Sequence, residues 1–373
     1  MSMKLNAFSL EDTQQIVSPA LIYDLQIIER NVDRMIQMAG GAQRLWPHVK
    51  THKCADMVRL LMGKGISRFK CATIAEGEMV GQCGAAQAIL SYPLVGPNIA
   101  RFIRLAEAFP KTEYFAIGDD EEQIRLLSDA ARQAGMRVNF LLDINDGLNR
   151  TGVCTARAGE LYRKAAAMPG IRIRGMHVYD GHRHEGQLAQ RGENVRNDVL
   201  PVYALRGELE KEGLDCGIMV MGGTPSFPCH AGYPDVFLSP GTCLIEDYGY
   251  ASSFPDLPFE IGAMVLTRVV SHPAPGVFTL DLGYKGVAAD PAIPRAVIAG
   301  YEDAVTLMQN EEHWVLRMPE GREAERPQIG QVLYAAPVHI CPTSALYPSI
   351  LVAKEGKIVA EWPVTARNRR ITI

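Results

Sequence analysis

Between residues 20 and 240, short apolar runs alternate with longer segments whose apolar positions recur every three or four residues. The run 21–24 reads as a strand. The segment 25–38, apolar at 25, 28, 32, 35 and 36, reads as a helix opened by Asp24, a good N-cap type. A strand-like stretch follows at 45–50. The alternation then predicts helices over 54–63, 74–82, 98–109, 120–134, 155–168 and 187–212, interleaved with strands over 68–71, 88–92, 113–117, 137–143, 171–177 and 217–221. About eight such repeats call for a parallel sheet, and the pattern favours a closed (β/α)8 TIM-type barrel over an open doubly wound sheet. Beyond about residue 250 the rhythm changes. Prolines at 255, 258, 273 and 275 punctuate short β-rich pieces at 263–270, 277–282, 314–317, 331–335 and 350–353, which predicts a separate antiparallel β domain.

Composition adds exclusions. The 373 residues are 47% hydrophobic and 21% charged, enough to bury a large core. With 38 basic against 42 acidic residues the net charge is −4, which argues against nucleic acid or an anionic membrane as partner. No apolar stretch approaches the roughly 18 residues of a membrane span. The N-terminus, Met1-Ser-Met-Lys-Leu-Asn-Ala-Phe, lacks an apolar signal core, and the eight cysteines contain no CxxC. Both features lead us to expect a cytoplasmic protein with reduced thiols.

Five stretches carry candidate chemistry. Lys50, in Pro47-His-Val-Lys-Thr-His-Lys, ends an early strand. An amine held there against apolar walls is nucleophilic enough to condense with a carbonyl. After later strands, Gly222-Gly223-Thr224 and Ser239-Pro-Gly241-Thr242 offer backbone N–H groups and hydroxyls to a phosphate, though a tight turn explains either loop equally well. Arg150, in Asn149-Arg-Thr-Gly, offers a planar fork to a carboxylate or phenolate. His177, Tyr179, His182 and His184 cluster after another strand as candidate bases or ligands. On a strand, His339 and Cys341 would share one face, an imidazole–thiolate pair suited to Zn²⁺; the plainer reading is an edge histidine beside a buried cysteine.

Together the motifs Pro-His-Val-Lys50-Thr-His-Lys, Asn149-Arg150-Thr-Gly, Gly222-Gly-Thr, Val338-His-Ile-Cys-Pro-Thr and Glu361-Trp-Pro-Val, in this order over nearly the whole chain, resemble the metal-dependent D-threonine aldolase and D-serine dehydratase family. These are pyridoxal-phosphate enzymes with an alanine-racemase-like barrel (fold type III). The resemblance implies a cofactor-binding barrel over 20–254 and a β domain formed by 1–19 and 255–373. It implies that Lys50 holds pyridoxal 5′-phosphate covalently and that Gly222, Gly223, Thr224, Gly241 and Thr242 cradle its phosphate. Arg150 would lie near the phenolic oxygen and Tyr179 near the cofactor face. His339 and Cys341 would bind a divalent metal, Zn, Mn or Mg. Where alanine racemases carry Arg-Pro-Gly this chain has Ser239-Pro-Gly, which argues against a plain racemase.

The activity implied is cleavage of D-3-hydroxy amino acids to glycine and an aldehyde, with His182 or His184 as base and a homodimer as the assembly. Dehydration to an oxo acid and ammonia is the alternative, favoured by cysteine rather than a carboxylate at 341. A racemase and a non-catalytic cofactor-binding protein stay open as further readings.

Overall fold

The structure, a computed structural model, describes residues 4–373; the first three residues of the N-terminal segment discussed above lie outside the described residues. The contacts divide the chain into two units. One comprises Ile36–Lys50, Ala55–Gly241 and Asn368–Ile373, and the other Met1–Met35, Thr51–Cys54 and Thr242–Arg367.

The first unit is built on a parallel sheet. Its strands run in the spatial order Arg68–Cys71, Gln87–Leu90, Glu113–Gly118, Val138–Asn145, Ile171–Val178, Ile218–Met221 and Val236–Leu238, with Val153–Cys154 beside the fourth. The two end strands are joined through residues 45–48. Trp46 N–H donates to Leu238 O (2.8 Å), His48 N–H to Pro240 O (2.8 Å), and Lys70 N–H to Pro47 O (3.0 Å). This closure makes the expected barrel. Its filling is apolar, with Trp46, Ile89, Phe115, Leu141, Ile218 and Val220 in one buried cluster, as strands covered on both faces require. The helices end where local chemistry ends them. Asp120 caps Glu121–Gln133 by accepting from Gln123 N–H (3.0 Å), and Gly135, at φ +68°, follows its C-terminus.

The second unit holds the other sheet, in the order Val305–Gln309, Trp314–Arg317, Val277–Leu280, Ala263–Ser271, Ala20–Asp24, Ser349–Lys354 and Lys357–Pro363. Val332–Pro337 pairs with Ala263–Ser271 and Ala296–Ile298 with Val332–Pro337. All of its pairings are antiparallel except that Ala20–Asp24 runs parallel to Ser349–Lys354.

Three expectations change. The strand at 20–24 belongs to this sheet, with Leu21 opposite Val265, and is not the first stave of the barrel. A short apolar run specifies a strand without specifying its partner. Strands Ala296–Ile298, Val305–Gln309 and Lys357–Pro363 are additional; the last two are largely solvent-exposed, with Val305, Leu307, Met308 and Val359 among their exposed apolar residues. Finally, the segment at 338–341 is not a strand. Val332–Pro337 ends before it, His339 is an N-cap, and Ile340–Leu346 is a helix with Pro342 in its first turn, where a missing N–H costs nothing. Among the described residues no helix is long and apolar enough to cross a membrane.

Candidate cofactor site and candidate metal ligands

In the parallel unit, Tyr179 follows the strand Ile171–Val178, and three cations gather on its ring. Lys50 Nζ is 5.9 Å from the ring centroid, Lys70 Nζ 5.2 Å and the Arg150 guanidinium carbon 4.8 Å. Lys50 arrives from the 3-10 turn Val49–Thr51 that directly follows the barrel-closing stretch. Its N–H donates to His48 Nδ1 (3.4 Å), a buried imidazole whose charged form is strongly disfavoured, first by burial and then by Lys50 and Lys70.

Lys70 was not anticipated from the sequence. It sits in Arg68–Cys71, a barrel strand, with its side chain buried. Burial, with the like charge of Lys50 behind it, lowers its amine to about 7. The available signal was a lysine between Phe69 and Cys71 in a strand that a barrel covers on both faces.

Two buried carboxylates flank the cations. Asp143 accepts from His177 Nδ1 (2.7 Å) and from Thr151 Oγ1 (2.8 Å). His177 Nε2 is buried with no partner among the described residues, and burial keeps that ring neutral, so a lone pair is left pointing at nothing. Asp180 accepts from His230 Nε2 (2.7 Å) and Ser226 Oγ (2.5 Å), and Ser226 Oγ accepts in turn from Gly223 N–H (3.0 Å). Thus the glycine turn is tied to a buried histidine–carboxylate pair. Gly222 has φ +75°, and a Cβ there would meet Phe227 Cα at 3.0 Å. Gly222→Ala is expected to cost about 1–2 kcal/mol in urea unfolding. The second loop closes on the first, since Gly241 N–H donates to Thr224 Oγ1 (3.2 Å).

The histidines expected as bases separate here. His182 Nε2 lies 3.3 Å from Asp198 Oδ2, on the helix Leu188–Lys211, while its Nδ1 is buried with no partner among the described residues. His184 is exposed.

In the second unit, His339 donates from Nδ1 to Asp290 Oδ2 (2.5 Å) and is hydrogen-bonded with Cys341. Burial works against the charge of this imidazole, yet those two bonds push it up to about 9. Cys341 Sγ lies 3.5 Å from Thr51 Oγ1 and 3.6 Å from Thr242 Oγ1. Thr242, expected at the phosphate, therefore groups with Cys341 in this unit. The predicted pair does converge, through a helix start rather than strand alternation. Asp247 Oδ2 accepts the Ile340 N–H (3.0 Å) and so anchors that start. An imidazole oriented by a carboxylate and adjacent to a thiol fits a divalent-metal ligand pair. Among the described residues no group of three or more His, Cys, Asp or Glu is placed to hold a metal.

For pyridoxal phosphate the fit rests on the parallel unit alone. Three cations face one aromatic ring, and a neutral histidine keeps a buried lone pair beside them. This donor set suits an aromatic dianion with a primary amine within reach.

Comparison with known proteins agrees. Residues 23–248 match the family model of the alanine racemase N-terminal domain, and residues 262–353 that of a putative serine dehydratase domain. The chain is 28% identical to the D-threonine aldolase of Arthrobacter sp, over 95% of its own length and 93% of the relative's. It is 28% identical to the 3-hydroxy-D-aspartate aldolase of Paracoccus denitrificans, over 96% and 94%. The crystal structure of D-threonine aldolase from Filomicrobium marinum superposes with a TM-score of 0.88 at 27% identity, covering 98% of this chain and 99% of that one. By the match over its barrel, this chain belongs to the alanine racemase N-terminal domain family, here followed by a serine dehydratase-like domain.

Proposed function

We propose that this chain is a pyridoxal-phosphate- and divalent-metal-dependent lyase that cleaves D-3-hydroxy amino acids to glycine and an aldehyde. The observation that carries the reading is the gathering of Lys50, Lys70 and Arg150 on Tyr179, in a chain related over nearly its whole length to two aldolases. In this reading the first unit carries the cofactor chemistry and the second the metal ligands. None of the eight cysteines is in a disulfide, which supports a reducing cytoplasm, and the family resemblance supports a homodimer.

Lys50 would hold the cofactor through its amine. Gly222, Gly223, Thr224 and Gly241 would take the phosphate, Arg150 the phenolic oxygen and Tyr179 the ring face. When bound, pyridoxal phosphate supplies an electron sink for negative charge at Cα. His339 and Cys341 would hold the divalent metal, whose Lewis acidity lowers the pKa of an alcohol. The chain's own residues then move protons. His182, whose Nδ1 is buried and unpartnered, is the better base of the two histidines for the 3-hydroxyl proton; exposed His184 is the poorer. As the C–O bond becomes C=O, the Cα–Cβ bond breaks, and the Lys50 amine returns a proton to Cα to give glycine.

Dehydration is the second reading, favoured by Cys341 and by the serine dehydratase match over 262–353. Here Lys50 would remove the α-proton and the 3-hydroxyl would leave as hydroxide; addition of water to the resulting enamine then gives an oxo acid and ammonia. The assay that separates the two supplies D-threonine and D-serine with and without EDTA. Acetaldehyde and glycine from D-threonine, lost with EDTA and restored by Zn²⁺ or Mn²⁺, are the expected result. Pyruvate and ammonia from D-serine, with no glycine from D-threonine, would overturn the aldolase reading.

A further inference from the structure

Lys70 is a buried cation whose use the proposed reaction leaves open. Its Nζ donates to Ser239 Oγ (3.1 Å), which passes a hydrogen bond to the Gly222 carbonyl (2.7 Å), so the amine is anchored to the glycine turn. The groups acting on it are the cations Lys50 and Arg150 and the carboxylates Asp143 and Asp180. Both carboxylates are engaged elsewhere, Asp143 by His177 and Thr151 and Asp180 by His230 and Ser226. Neither is hydrogen-bonded to Lys70, and Tyr179 offers it only a ring face at 5.2 Å. An ammonium has three donors, and burying it with one bond to a hydroxyl, among other cations, is costly unless something negative joins it. The low proton affinity of this amine, about 7 with burial as the main cause, is the cost expressed in protons.

We infer that Lys70 is an anion-binding residue of the Tyr179 site, its ammonium completing its hydrogen bonds on an anionic oxygen of a bound ligand. The inference rests on the cofactor reading above and extends it to a residue that reading does not use. Two ligands present the same chemistry: the cofactor, through its phosphate or phenolate, and the amino-acid substrate, through its carboxylate. A charge-assisted hydrogen bond lost from a dry site weakens binding by roughly tenfold or more.

The test compares wild type, Lys70→Met and Lys70→Arg in two titrations. The first follows uptake of pyridoxal phosphate by protein stripped of cofactor, read by absorbance and by fluorescence quenching. The second measures KM and kcat for D-threonine at saturating cofactor. If the cofactor is the anion, Lys70→Met weakens pyridoxal phosphate binding by roughly tenfold or more, and Lys70→Arg, which keeps the charge, recovers most of it. If the substrate carboxylate is the anion, cofactor affinity stays and KM rises by a similar factor while kcat changes less, again with recovery in the arginine variant. Either pattern supports the assignment and names the source. Wild-type values for Lys70→Met in both titrations overturn it. So does equal loss in Lys70→Met and Lys70→Arg, or in a variant shown by circular dichroism to be unfolded while Lys70→Arg is folded and no better than wild type without its ligand, because then only packing is at stake. A wild type that takes up pyridoxal phosphate but cleaves neither amino acid sinks the lyase reading alone, and the first titration still decides Lys70. A wild type that takes up none sinks both.

Discussion

Lys50→Ala is expected to lower turnover of D-threonine by roughly a thousandfold or more, because the only group proposed to hold the cofactor and to return a proton to Cα is removed at once. The fold should survive. Lys50 lies in a short 3-10 turn, and the hydrogen bonds that close the barrel come from the backbone of Trp46, His48 and Lys70, not from its side chain. The measurement is a pair of spectra alongside the assay. Wild type should show the absorbance of lysine-bound pyridoxal phosphate, and borohydride should fix the cofactor to the peptide that contains residue 50. A Lys50→Ala protein that keeps the same band and is still labelled by borohydride would mean that another amine, Lys70 being the nearest candidate by its low proton affinity, holds the cofactor.

Asp180→Ala has the largest expected effect on stability. Burial would push this carboxyl up, but the hydrogen bonds from His230 and Ser226 outweigh it and hold the group below the usual carboxylate range. Truncation strands His230 and Ser226 in a dry interior and frees the Gly223 N–H link, so a loss of about 3 kcal/mol or more is expected near neutral pH. The sign of the pH dependence follows from the depressed value. The unfolded state takes up the proton first, near pH 3.9, so the contribution is whole above about that pH and is lost as pH falls through the lower folded value. Urea unfolding of both proteins should show a wide gap at pH 7 that narrows below about pH 4. A gap that stays constant down to the acid limit would show that Asp180 acts by packing alone.

How much of this was readable in advance depends on the range of the interaction involved. The helix Glu121–Gln133 could be read almost to the residue because its determinants are local: apolar spacing, an Asp that caps three residues ahead, a glycine beyond the end. Tyr179, Arg150 and the paired glycine loops were legible for a similar reason, since a parallel barrel puts the segments after its strands at one end. Lys70 was hidden because within Arg68–Cys71 it looks like any strand lysine; its partner Ser239 is 169 residues away. His339 and Cys341 were paired for the wrong reason. Two residues two apart suggest one strand face, but the chain turns into a helix there because Asp247, 93 residues earlier, accepts the Ile340 N–H.

Periodicity, capping and composition act over a few residues, so the succession of elements, the presence of a parallel barrel and a second sheet, and the residue types available for chemistry can be read from the chain alone. The folded chain adds that the strand at 20–24 pairs with 263–266 and 351–353, that Lys70 is a third cation on Tyr179, and that Asp180 rather than a surface turn restrains the glycine loop. Those outcomes depend on hydrogen bonds and charge pairs between segments far apart in the chain, whose energies exist only once folding has removed the water between them.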